Sequence, residues 1–188
     1  MWGYDPARSA ASPDSLPDTL HSRWTLAMPP LEPAWDEPVN QDRMPFVRAY
    51  EPIVLGETLF FGSSRSDRLT ALNVSDGSER WRYYAGGPIR VPPVAAEGKV
   101  YFVSDDGTLV CLGAQDGKLV WERRGGPSPR KVLGNGRLIS TWPARGGPVI
   151  TEGRVYFGAG VWPFEGCFLF CLDANTGNTI WENAEFAS

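Results

Sequence analysis

Three stretches of this chain repeat one pattern of eleven residues that closes on tryptophan: ALNVSDGSERW (71–81), CLGAQDGKLVW (111–121) and CLDANTGNTIW (171–181). A repeat of this kind constrains the architecture more tightly than composition does, because each unit is too small to bury its apolar face alone and must stack on its neighbours. The units extend upstream to Pro52, Pro93 and Pro148, and each holds four short β-like runs. In the middle unit these are VPPVAAE, KVYFVS, TLVCLGA and KLVWER, separated by Glu97-Gly98, Asp106-Gly107 and Asp116-Gly117, which are turn dipeptides. Helical spacing is absent from all three. Gly77, Gly117 and Gly177 share one position, where a left-handed backbone is expected to close the third and fourth strands into a hairpin.

The apolar runs TLFF, KVYFV, RVYF and CFLFCL are near-continuous, whereas a sheet with one wet face alternates. The strands are therefore expected to be covered on both faces. A four-stranded sheet recurring about every 40 residues between copies of itself is a propeller blade. The expected fold is all-β: a β-propeller of four-stranded antiparallel blades, three of them present, plus one orphan strand. Trp81, Trp121 and Trp181 then dock each blade on the next, each burying roughly 200 Å² of ring while its indole N–H meets a backbone carbonyl. The competing architecture is a β-sandwich with chance internal similarity.

Composition narrows the function classes. The 188 residues are 42% hydrophobic with a net charge of -4, which supports a folded core and argues against a nucleic-acid partner. No run approaches a membrane span, and residues 1–20 lack the basic start and apolar stretch of a signal peptide. Cys111, Cys167 and Cys171 form no CxxC pair, and with His21 as the single histidine neither a zinc cluster nor a Ser/His/Asp triad can be assembled. Cys167 and Cys171, in one strand, would stand about 13 Å apart, beyond disulfide reach. Cys111 and Cys171 replace Ala71 of the first repeat and read as small buried hydrophobes.

Val100-Tyr101-Phe102, Val155-Tyr156-Phe157-Gly158, Leu172-Asp173-Ala174 and Thr176-Gly177 with Trp181 make the units, over about 52–184, resemble the pyrroloquinoline-quinone (PQQ)-like propeller repeat. The resemblance is specific for fold. For activity it implies several outcomes, since this repeat builds quinoprotein alcohol dehydrogenases, non-catalytic assembly lipoproteins and exported proteins. It also implies a ring of seven or eight blades, a periplasmic or exported location, and, in the dehydrogenases, PQQ with calcium as cofactors. The chain is accordingly expected to be the N-terminal part of a longer propeller whose remaining blades, or a fused domain, are its partners.

The organisation expected is a proline-rich lead-in over 1–50 with an orphan outer strand near Trp24, then three blades over 51–87, 92–126 and 147–184. An insertion, 127–146, separates the last two. It lengthens the spacing of the repeat tryptophans from 40 residues (81 to 121) to 60 (121 to 181), helped by a second insertion at 160–166. Long loops on a rigid repeat scaffold are where binding residues collect.

From Arg123 to Thr151 there are six bases and no acid, and Trp142 and Trp162, each followed by proline, stand beside them. Guanidinium forks suit carboxylate or sulfate oxygens and indoles suit a sugar face or a planar quinone. Arg130, Arg137, Arg145, Trp142 and Trp162 are therefore the candidate site for an anionic or sugar-like ligand. The bland role for the same residues is pairing with acids of neighbouring blades, with the tryptophans capping the fold. Asp105-Asp106 lies in SDDGT, where a turn wants Asp and Gly; no catalytic residue and no metal ligand is assigned. Three functions remain: a ligand- or protein-binding scaffold within a larger protein, part of a PQQ/calcium-dependent oxidoreductase, or a carbohydrate-binding surface.

Overall fold

Short apolar runs punctuated by glycine turns leave the chain few options besides ladders between sequence neighbours. The computed structural model, which describes residues 5–32, 49–134 and 136–184, is built of such ladders. The first blade holds β1 (Ile53–Leu55), β2 (Thr58–Ser63), β3 (Arg68–Asn73) and β4 (Glu79–Tyr84), and the second β5 (Val94–Ala96), β6 (Lys99–Val103), β7 (Thr108–Gly113) and β8 (Leu119–Arg124). A separate hairpin follows, β9 (Lys131–Gly134) and β10 (Arg137–Ser140), and then a third blade: β11 (Val149–Thr151), β12 (Arg154–Ala159), β13 (Phe168–Asp173) and β14 (Thr179–Asn183). Each blade is a four-stranded antiparallel sheet in sequence order. Among the described residues the single helical element is a 3-10 turn, Pro163–Glu165.

Register repeats as closely as sequence does. Phe60, Tyr101 and Tyr156 pair inward with Ile53, Val94 and Val149, and outward with Ala71, Cys111 and Cys171. The last three pair in turn with Trp81, Trp121 and Trp181, and the ladder slips by a bulge immediately after each. A bulge raises local twist, so all three outer strands aim their tryptophan in the same way.

The apolar strands pack face to face. Phe60 and Leu69 meet Phe102, Val110 and Leu112 between blades 1 and 2. Tyr101 and Leu109 meet Phe157, Phe170 and Leu172 between blades 2 and 3. Blade 2, covered on both sides, is buried along nearly all of β6 and β7, which is why its strands read as continuous apolar runs. Cys111 and Cys171 are fully buried and all three cysteines are unbridged.

Docking is the same at each joint. Trp81 Nε1 donates to the Ala114 carbonyl at 3.1 Å, and Trp121 Nε1 to that of Ala174 at 3.1 Å. The rings lie on Gly117 and Gly177, where an added Cβ would stand 2.6 and 2.7 Å from an indole carbon. Both glycines also have positive φ, so the turn and the docking surface each require the absence of a side chain.

Two expectations change. Trp24 makes the docking contact of a fourth strand, donating to Val74 O at 2.8 Å and lying over Gly77, yet residues 21–32 carry no ladder. A fourth strand needs a third strand of its own blade to pair with, and none is present beside it among the described residues. The 127–146 segment, expected to be a loop, contains the β9–β10 hairpin, with Leu138 opposite Leu133 and Ile139 opposite Val132.

Candidate functional site

In an antiparallel blade, the connection between strands 2 and 3 and the exit from strand 4 lie at one end, and the other two turns at the opposite end. The loops 64–67, 104–107 and 160–167 and the crossings 85–93 and 125–148 therefore share one end of the arc. Every candidate residue named from sequence lies in these segments.

The most deeply placed charge there is Asp105, 0% exposed. Its Oδ2 accepts from Arg90 Nε at 2.6 Å and from Arg145 Nη2 at 3.0 Å, and Oδ1 accepts from Arg145 Nε at 2.8 Å. The backbone of Asp105 also donates to Pro88 O and accepts from Ser140 N, both at 2.8 Å. One residue thereby ties the crossing into blade 2, the β6–β7 turn and the insertion. The turn role expected of the pair falls to Asp106 alone, which accepts from Thr108 N at 3.0 Å. The departure was visible in SDDGT, because a hairpin turn uses one aspartate and the second is surplus.

Arg90, at 4% exposure, extends the network by donating through Nη1 to Glu32 O at 2.8 Å. Arg137 donates to Ser64 O at 2.9 Å, to Glu32 Oε2 at 3.3 Å and to Asp67. Burial pushes the Asp67 carboxyl up, and the Arg137 charge pulls against that rise. The lead-in at Glu32 is thus clamped to blade 1 and to the hairpin by two guanidiniums.

The other insertion contacts form a second cluster. Arg130 pairs with Glu165 and stacks over the Trp142 ring with its guanidinium carbon 5.2 Å from the centroid. Trp142 is buried, donates to Glu165 O and meets Phe168 edge-on at 6.3 Å. The five candidate residues therefore divide: Arg130 and Trp142 join the two insertions, Arg145 holds Asp105, Arg137 holds the lead-in, and Trp162 is partly buried in the 160–167 loop. Within the base-rich row, Arg130, Arg137 and Arg145 each meet a carboxylate of this chain, while Arg124 and Lys131 are exposed.

Burial pushes the Cys111 thiol up to about 11, His21 is exposed in the lead-in, and among the described residues no group of three or more His, Cys, Asp or Glu is placed to hold a metal ion. Among them, too, no helix is long and apolar enough to cross a membrane. Exposed apolar side chains instead mark the insertion tips: Leu133 and Leu138, paired across the hairpin, and Phe164 at 82% exposure.

Comparison with known proteins agrees with this geometry. The dehydrogenase subunit of the quinone-type alcohol dehydrogenase of Gluconacetobacter polyoxogenes is 31% identical over 146 residues, covering 69% of this chain and 19% of the relative. That of Gluconobacter oxydans is 29% identical over 142 residues, covering 69% of this chain and 18% of the relative. The chain thus spans about a fifth of the length of these curated relatives. Among solved structures, the quinohemoprotein alcohol dehydrogenase of Comamonas testosteroni superposes with TM-score 0.59 at 22% identity, over 73% of this chain and 21% of that one. A europium-containing methanol dehydrogenase gives TM-score 0.56 at 21% identity, over 73% and 26%. With the repeated blades, their tryptophan joints and a family model matched over residues 24–187, the chain belongs to the PQQ-like propeller family described as outer membrane protein assembly factor BamB.

Proposed function

We propose that these three blades are a rigid scaffold within a larger protein and that their two insertions form its recognition surface. The observation that carries the reading is the use of the insertion arginines. Arg130 on Glu165 and Arg145 on Asp105 hold the loops in one shape, while Leu133, Leu138 and Phe164 point to solvent. Preorganised loops with apolar tips suit a protein partner, because ordering costs are met within the free protein. A photoreactive residue at position 164 of the full-length protein is expected to yield a discrete crosslinked partner. The same residue at position 54, exposed on blade 1, is expected to yield none; identical adducts at both positions would refute the reading.

A second reading, a portion of a quinone-dependent oxidoreductase, draws on the 31% identity to an alcohol dehydrogenase subunit. The residues of this chain do not fit the cofactors themselves. Calcium takes six to eight oxygen ligands, whereas at the loop end Asp67, Asp105 and Glu165 are engaged by arginines and Asp106 by its own turn. Quinone chemistry would have to draw on other parts of the larger protein. Adding pyrroloquinoline quinone and calcium to full-length protein and recording a difference absorbance spectrum tests this; an unchanged spectrum removes the reading.

A further inference from the structure

The β9–β10 hairpin is a sheet of two strands, so each strand has one paired edge and one outer edge. Its register sets Gly134 against Arg137, Leu133 against Leu138, Val132 against Ile139 and Lys131 against Ser140. Successive antiparallel pairs alternate: in one the two residues bond to each other, in the next their N–H and C=O groups point outward. Thr141 N donates to Arg130 O at 3.0 Å, which puts 130–141, 132–139 and 134–137 in the bonded set. The backbone groups of Lys131 and Leu133 therefore point away from β10, and those of Leu138 and Ser140 away from β9.

The two outer edges are not equivalent. Ser140 N donates to Asp105 O at 2.8 Å, so β10 is already tied to the blade 2 turn. Among the described residues, the backbone groups of Lys131 and Leu133 reach no other segment. The two faces of the hairpin differ as well. Ile139 is buried, whereas Leu133 and Leu138, paired on the opposite face, are 75% and 65% exposed. Lys131 is exposed and shares the face of Leu133, two positions away. No acid stands between Arg123 and Thr151 in the sequence, and Glu165, which approaches from blade 3, is held by Arg130.

We infer that a partner protein docks on β9 by adding an extended segment as a third strand of this sheet. The segment bonds to the backbone of Lys131 and Leu133 and sets a carboxylate against Lys131 and, two positions away, an apolar side chain against Leu133. The edge itself specifies this occupant. A row of outward N–H and C=O groups is matched by an extended chain, which carries the same groups at the same spacing. An exposed ammonium beside a bare leucine pair is matched by an acid alternating with an apolar residue. A second copy of β9 does not fit, because KVLG carries no acid to set against Lys131; a lysine on an edge also deters indiscriminate pairing. The inference rests on the reading of the insertions as a recognition surface and adds the conformation and charge of what they recognise.

The probe is an end-blocked, dye-labelled peptide, Thr-Val-Thr-Ile-Thr-Glu-Thr, titrated with full-length protein and read by fluorescence anisotropy. Saturable binding is expected. Changing the peptide's glutamate to lysine should weaken it about tenfold, and the Lys131→Glu variant should bind that lysine peptide to within about threefold of the original pair. Methylating the amide nitrogens of the peptide's isoleucine and glutamate, which face β9, should weaken binding about thirtyfold, and methylating the threonines on either side less than about threefold. Absence of saturation, or losses that do not depend on which amides are methylated, overturns the inference. So does a dimer in light scattering that Leu133→Pro, by removing one outward N–H, returns to monomer, because a second copy would then hold the edge. The scaffold reading is judged apart from this. A partner crosslinked at position 164 without peptide binding overturns the strand inference alone, and peptide binding without such a partner overturns the scaffold reading alone.

Discussion

Trp121 and Gly177 touch across the boundary of blades 2 and 3: a Cβ on the glycine would stand 2.7 Å from the indole, which donates to Ala174 O at 3.1 Å. The glycine has φ of +73°, so a side chain there suffers both a left-handed backbone and a clash with the ring. Gly177→Val is expected to cost about 2–4 kcal/mol, the sum of an αL penalty and overpacking. Urea unfolding checks this, and a loss below about 0.5 kcal/mol would show that the joint contributes little.

The three repeat tryptophans are chemically equal and structurally unequal. Trp81 and Trp121 are docked, whereas Trp181 is exposed and meets Tyr156 within its own sheet at 6.2 Å. Trp81→Ala and Trp121→Ala are each expected to cost about 2–4 kcal/mol, and Trp181→Ala under about 1 kcal/mol, in this chain. Equal losses in all three would mean that stability resides within the blades and not at their joints.

Asp105 neutralises two guanidiniums in a place water hardly reaches. Removing its charge leaves Arg90 buried and uncompensated, so Asp105→Asn is expected to cost about 3–5 kcal/mol. Adding Arg90→Met should recover part of that loss, because the apolar replacement needs no counter-ion. Thermal unfolding of the single and double variants measures the coupling.

The cysteines separate by environment. Burial holds the Cys111 thiol protonated until pH approaches about 11, so raising pH from 7 to 9 should not open it to alkylation. Cys167, at the edge of a groove on blade 3, is expected to react first. Peptide mass mapping after a brief maleimide pulse distinguishes them, and labelling of Cys111 in the folded protein would contradict its packing.

The turns that carry the docking glycines also carry acids with lowered pKa. Asp173 is held down mainly by the Thr176 N–H, Asp116 by the Lys118 N–H, and Asp76 by the Ser78 hydroxyl. A carboxylate with a depressed folded pKa contributes stability above its unfolded value and loses that contribution as pH falls through the folded one. The melting temperature should therefore decline on acidification below about pH 4. The triple variant Asp76→Asn, Asp116→Asn, Asp173→Asn should show a shallower decline over the same range, measured by circular dichroism.

The blades were legible because their information is local. Period, turn glycines and a tryptophan at one register position name both the sheet and its joint, and Trp24 betrayed its role through the residues around it. The β9–β10 hairpin has a local signal as well, the Asn-Gly at 135–136 between apolar runs, set in a segment whose base-rich composition reads as a loop. The destinations of the arginines were not legible. Arg137 reaches Asp67 and Glu32, some 70 and 105 residues away, and charge patterning along a chain records neither partner.

The sequence by itself determined that this protein is a stack of like sheets, because hydrophobic period and turn chemistry act between neighbouring residues and are written wherever those residues stand. Only the tertiary structure decided that Arg130, Arg137 and Arg145 of its base-rich row turn inward onto Glu165, Asp67, Glu32 and Asp105. A guanidinium is satisfied by whichever carboxylate folding brings within about 3 Å, and that choice belongs to the closure of loops from three blades onto one end.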